Sequence, residues 1–108
     1  MGVLVVQEIK RGWDNMYRKE FLDMAEKCIC NNRELNYGTP EDNFAIIAEY
    51  WNTYFKRKYF TTFELNAYDV ALMMTLFKLA RLTSGDFKED SIADAIGYLA
   101  CAGEVNKK

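Results

Sequence analysis

Two carboxylates, Asp90 and Asp94, stand four residues apart in the last quarter of this 108-residue chain, with Glu89 beside them. On a helix that spacing points both the same way, and they can share a Mg2+ ion if other oxygens converge. The plainer alternative is that Asp90 caps the helix and Asp94 pairs with Lys78 or Arg81. Those two residues are nearly the only cations in the oily stretch Val70 to Leu82. Placed there, each loses hydration unless an anion answers it, either an acidic side chain or the phosphate or carboxylate of a ligand. Arg81 also falls in a last helical turn, where the dipole favours a cation regardless. A third grouping runs from Arg33 to Asn43 and combines a cation, the aromatic Tyr37, Gly38 and a helix N-terminus with free amides. Tyr37 can stack on a base and Arg33 can reach a phosphate. Glu41 and Asp42 already occupy the positive end of that helix, which disfavours a phosphate directly on its amides.

Composition narrows the chemistry. Histidine is absent, which removes the commonest general base, the commonest metal ligand and the simplest pH switch. No serine or cysteine therefore has a histidine partner, and no phosphate-binding glycine loop appears. With 14 basic and 16 acidic side chains, the net charge of −2 provides no positive field for a nucleic-acid polymer or a membrane surface. Cys28, Cys30 and Cys101 are odd in number, and Cys-x-Cys lacks the spacer of a redox or zinc motif. With no signal-peptide pattern, they are expected to be reduced thiols of a cytoplasmic protein. The apolar run Val3 to Val6 is too short for a secretory core or a membrane span.

The elements that must position these groups are helical. Residues 1–14 are expected to form an arm, with a possible short strand at Val3 to Val6, and 15–108 a single α-helical domain. From about Asn15, Tyr17, Phe21, Met24, Ala25 and Cys28 recur on one face. That helix is expected to end at Asn31-Asn32 in the left-handed cap conformation. Thr39-Pro40-Glu41-Asp42 reads as a strong helix start: a cap, a proline with preset φ, and two acids at the positive end. The second helix should bury Phe44, Ile47, Ala48, Trp51 and Phe55 and fray into a loop across Lys56 to Phe60. Asn66 and Asp69 form a capping box for a third helix, Val70 to Leu82. Being apolar almost all round, it is expected to be central, with one side at a subunit interface. Ser84-Gly85-Asp86 should end it. A fourth helix, about Ser91 to Val105, carries a stripe of Ile92, Ile96, Leu99 and Gly103. A second stripe holds Asp90, Asp94, Gly97, Cys101 and Glu104. Gly97 costs a helix about 1 kcal/mol relative to alanine, which implies close approach of a helix or ligand there. The fold class is thus all-α, a four-to-five-helix bundle that self-associates.

Four blocks resemble a family of short phage and prophage proteins of unknown function. They are Arg33-x-x-x-Tyr37-Gly38-x-Pro40-Glu41-Asp42-Asn43-Phe44; Ile47-Ala48-x-x-Trp51; Asp69-Val70-Ala71-x-Met73-Met74 with Lys78-x-Ala80-Arg81; and Asp90-Ser91-x-x-Asp94-x-x-Gly97-Tyr98. The resemblance covers roughly residues 20–105 and is specific at these four blocks. The layout is distantly similar to the MazG-type all-α nucleoside triphosphate pyrophosphatases, which hold Mg2+ on a Glu-Glu-x-x-Glu helix and a second acidic helix. Asp90 and Asp94 stand where that resemblance wants the second acidic helix. The first motif is missing, since the second helix offers only Glu41, Asp42 and Glu49.

Three functions follow as expectations. The first is a phage-type protein that captures a phosphorylated signalling nucleotide without turnover, a counter-defence sponge in the host cytoplasm. Its pocket between subunits would use Arg33, Tyr37, Asn43, Lys78, Arg81 and Tyr98, with no cofactor. The second is a Mg2+-dependent nucleotide pyrophosphatase with Glu49, Asp90 and Asp94 as metal ligands. The third is a module that docks on a host protein through the arm and the basic-aromatic patch Lys56 to Phe60.

Overall fold

A computed structural model describes residues 16–32, 38–85 and 87–106. The arm, its possible strand, Arg33, Tyr37 and Asp86 lie outside the described residues. Among those described there are four α-helices and no strand: α1, Arg18–Glu26; α2, Pro40–Tyr59; α3, Ala67–Thr83; and α4, Glu89–Val105. A π-helical turn, Lys27–Asn32, continues α1. No helix of the described residues is long and apolar enough to cross a membrane.

The helix starts form as local chemistry dictates. The amide of Asp42 donates to Thr39 Oγ1 at 3.2 Å, directly before Pro40. At α3 the exchange is reciprocal: Asp69 N donates to Asn66 Oδ1 at 2.9 Å, and Asn66 N donates to Asp69 Oδ2 at 3.0 Å. Each satisfies amides that the first turn leaves without carbonyls. At α1 Glu20 reaches back to accept from the Tyr17 amide at 2.9 Å, so the helix starts at Arg18 rather than Asn15.

Helix ends depart from expectation. Lys56 to Tyr59 do not fray; they form the last turn of α2, where three cations meet the negative end of the dipole. Phe60 closes the helix with φ of 55°, a left-handed cap built without glycine. Asn31 and Asn32 do not cap in that conformation but finish the π-helical turn. A wider turn sets neighbouring side chains closer to one face. Here both Cys28 and Ile29 are half-buried.

A larger correction concerns the centre. It is α4, not α3, that packs against every other helix. Buried residues surround its axis: Ser91, Ala93, Ala95, Gly97, Cys101, Ala102 and Val105. These side chains are small, which lets α1, α2 and α3 approach closely on several sides. The expected stripe of Ile92, Ile96 and Leu99 is not the buried one, and Leu99 is half-exposed. On α3 only Val70, Ala71 and Thr75 are buried, while Leu76 remains 63% exposed. The core proper is Phe44, Ala48, Val70, Ala71, Cys101 and Ala102, with Trp51 and Tyr98 packed around it.

A buried amide ties α2 to the connection before α3. Asn52 Nδ2 donates to the Leu65 carbonyl at 3.0 Å, and the Leu65 amide donates to Asn52 Oδ1 at 2.8 Å. Sequence pattern gave no sign of this bracket, because a single asparagine on a helix reads as solvated.

Candidate functional site

The charged groups singled out above meet along one side of α4. Asp90, Asp94 and Tyr98 fall at i, i+4 and i+8, so they form a column with steps of about 6 Å. Lys78 comes from the inner face of α3, and its Nζ lies 3.0 Å from Asp94 Oδ2. Both are substantially withdrawn from water, with side chains 17% and 29% exposed. The anion that Lys78 requires is therefore the aspartate of the next helix. Two-thirds or more of each group is covered, so removing one partner strands the other in a poorly hydrated place.

Phe77 lies between two cations. Lys78 Nζ stands 5.6 Å from its ring centroid and the Arg81 guanidinium carbon 5.9 Å, both within cation–π range. Arg81 is exposed and Lys78 is covered, so the pair runs from rim to interior. At the other end of the column Tyr98 packs on Phe44 with ring centroids 6.0 Å apart. Phe44 belongs to the first turns of α2, next to Asn43, whose amide donates to the Thr39 carbonyl at 3.0 Å.

Cys28 joins the cluster from the π-helical turn. Burial pushes its thiol above the ordinary value, and the negative charges of Asp94 and then Asp90 push it further the same way. It is thus held as a neutral thiol at physiological pH, the unreactive form. Sequence reasoning placed Cys28 on an apolar helix face and missed this role, because a π-helical turn has no simple periodic signal. Close approach at Gly97 was legible. A β-carbon there would stand 2.7 Å from Ile29 Cγ2, so the neighbour implied by the glycine is the π-helical turn.

Glu49 does not join the cluster. It sits on the exposed side of α2, and its backbone carbonyl accepts from Thr53 Oγ1. Among the described residues no three His, Cys, Asp or Glu side chains are gathered so as to hold a metal ion. Lys78, Asp94, Asp90 and Cys28 are brought to one side of α4, with Tyr98 at the other end of that column; Arg81 joins through the Phe77 ring, and Asn43 is linked to Tyr98 only as the chain neighbour of Phe44. Arg33 and Tyr37 lie outside the described residues.

Comparison with known proteins places this arrangement among phage sequences. Residues 20–106 match the model of a family described as a domain of unknown function, DUF6378, a span that contains all four motif blocks. The chain is 32% identical over 87 residues to the Gene 55 protein of Mycobacterium phage D29, covering 81% of this chain and 54% of that protein. It is 35% identical over 86 residues to the Gene 55 protein of Mycobacterium phage L5, covering 80% of this chain and 50% of that one. It thus spans about half the length of these curated relatives. No solved structure matches it.

Proposed function

The chain belongs to the DUF6378 family, and from that premise we propose that it captures a phosphorylated nucleotide without turning it over. In a phage setting such a protein sequesters a host signalling nucleotide in the host cytoplasm, as a counter-defence. The observation that carries this reading is Lys78, a cation held in an oily interior and flanked by a half-exposed aromatic ring and a rim arginine. A phosphate entering from the Arg81 side competes with Asp94 for the Lys78 ammonium, while Phe77 offers a face for a base. Displacing an existing ion pair makes affinity depend on the added contacts with Arg81 and the ring. Asn43 and Tyr98, with Arg33 and Tyr37, complete the proposed ligand-binding set.

The competing reading is the Mg2+-dependent, MazG-like pyrophosphatase. Its chemistry needs a third oxygen ligand beside Asp90 and Asp94, and Glu49 does not supply one. The described residues do not fit that ion.

Calorimetric titration with nucleoside triphosphates and cyclic dinucleotides, with phosphate and pyrophosphate release followed alongside, separates the two. Capture predicts saturable binding without release. It also predicts that Lys78→Ala and Arg81→Ala each weaken binding about tenfold, while Asp94→Asn strengthens it by removing the competing carboxylate. Absence of binding by every nucleotide overturns the proposal. Release that disappears in Asp94→Asn replaces it with the enzyme.

A further inference from the structure

Helix α3 is apolar on its outer face as well as its inner one. Its inner face buries Val70, Ala71 and Thr75, with Lys78 turned toward α4 and Asp94. Its outer face carries apolar side chains: Leu76 is 63% and Leu79 46% exposed, and Ala80 between them is exposed too. A surface helix in a finished monomer carries polar side chains on its outer face.

The outer face extends onto α2. A shallow groove of about 470 Å³ between the two helices is lined by Trp51, Tyr54, Phe55 and Met73, with no charged side chain among them. Beyond it, Tyr50 and Ile46 stand exposed one and two turns before Tyr54, respectively. Together α2 and α3 form a two-helix layer, with the core and α4 on one side and an apolar surface on the other.

We propose that this layer is the contact surface for a second copy of this chain, packed through the outer face of α3 and the adjoining groove of α2. Charge argues for self-pairing. The centre of the patch has no charged residue, so two copies meet across a twofold axis without repulsion. A charged partner would find nothing there to pair with. Size argues the same way. The helices are 20 and 17 residues long, about 26–30 Å at 1.5 Å per residue. Side by side at about 8–10 Å spacing they make a slab about 20 Å across. That slab has a flat footprint of about 500–600 Å², close to the roughly 600 Å² that each partner contributes to the smaller stable interfaces. Exposed Ala80, among leucines, lets the partner helix approach closely near the centre. Lys78 lies on the side of α3 opposite Leu76 and Asp94 belongs to α4, so this inference stands apart from the ion pair on which the nucleotide reading rests.

Sedimentation equilibrium of the full chain, from low to high micromolar, gives the mass directly. A dimer is expected, converting to monomer in the pair Leu76→Glu and Leu79→Glu with the helical circular dichroism retained. A second measurement avoids those charges: under mild oxidation Leu76→Cys should yield a covalent dimer, whereas Glu26→Cys, exposed on α1, should not. The proposal is overturned by a wild-type monomer at every concentration, which leaves the face to a foreign protein. It is equally overturned by a dimer that survives both glutamates, or by cross-linking through Glu26→Cys in place of Leu76→Cys.

Discussion

Helices α3 and α4 make an instructive pair. Helix α3 carries the larger apolar side chains, with leucines, methionines and a phenylalanine on nearly every side, yet only three of its residues are buried. Helix α4 has alanine, glycine, cysteine or serine at eight of its 17 positions, and seven of its residues are buried. Hydrophobicity favours burial wherever a neighbour exists, but side-chain size decides how many neighbours fit. A helix of small residues admits three others at close range; a helix of large ones occupies the space itself. The central position therefore went to the smaller helix, and the larger was left with an unmatched side.

That contrast can be tested by adding volume. Ala93 on α4 is fully buried, and Ala93→Leu should cost about 3 kcal/mol, read from denaturant unfolding. Ala80→Leu makes the same change on the outer face of α3. Measured at dilution, where a single copy prevails, it should shift stability by less than about 0.5 kcal/mol. Equal costs at the two sites would show that α3 is as enclosed as α4.

Gly97 provides a sharper version. On helix propensity alone Gly97→Ala gains about 1 kcal/mol, but the added methyl would press on Ile29 Cγ2. A net loss of about 1 kcal/mol is expected, with part of it recovered when Ile29→Val removes volume opposite. A stabilised Gly97→Ala would mean that the π-helical turn yields and that the contact does not constrain α4.

The smallest effect is one of proton binding. The folded protein holds the Cys28 proton more tightly than the unfolded chain does, so its contribution is complete below the ordinary thiol range and fades as pH rises through it, from about 8.5 upward. Stability of the wild type should accordingly fall more steeply than that of Cys28→Ser over that window. Alkylation of Cys28, mapped by mass spectrometry, should reach half its maximal rate at higher pH than a free cysteine. Asp94→Asn should move that midpoint down. An unshifted midpoint would separate Cys28 from the α4 carboxylates.

What could be foreseen from sequence was what is decided locally or by charge. Thr39-Pro40 and the Asn66–Asp69 box start helices through atoms within three residues, so their chemistry is visible without the fold. Lys78 in an oily run demanded an anion, and Asp94 was one of two answers weighed. The identity of the central helix was hidden, because alanine and glycine carry little weight in hydrophobic patterning while they govern packing distance. Cys28 was hidden too, since its place beside Asp90 and Asp94 depends on a non-α turn. The bracket at Asn52 depends on a backbone thirteen residues away that no local pattern connects to it.

That bracket has a mechanical consequence. A carboxamide meeting a peptide group with one donor and one acceptor each way is matched like a base pair, and only asparagine or glutamine can make it. By clasping Leu65 to the middle of α2, Asn52 stops the connecting strap from swinging and joins the two helices into a single stiff plate. A second copy packing as proposed would therefore meet one stiff surface rather than two helices free to part.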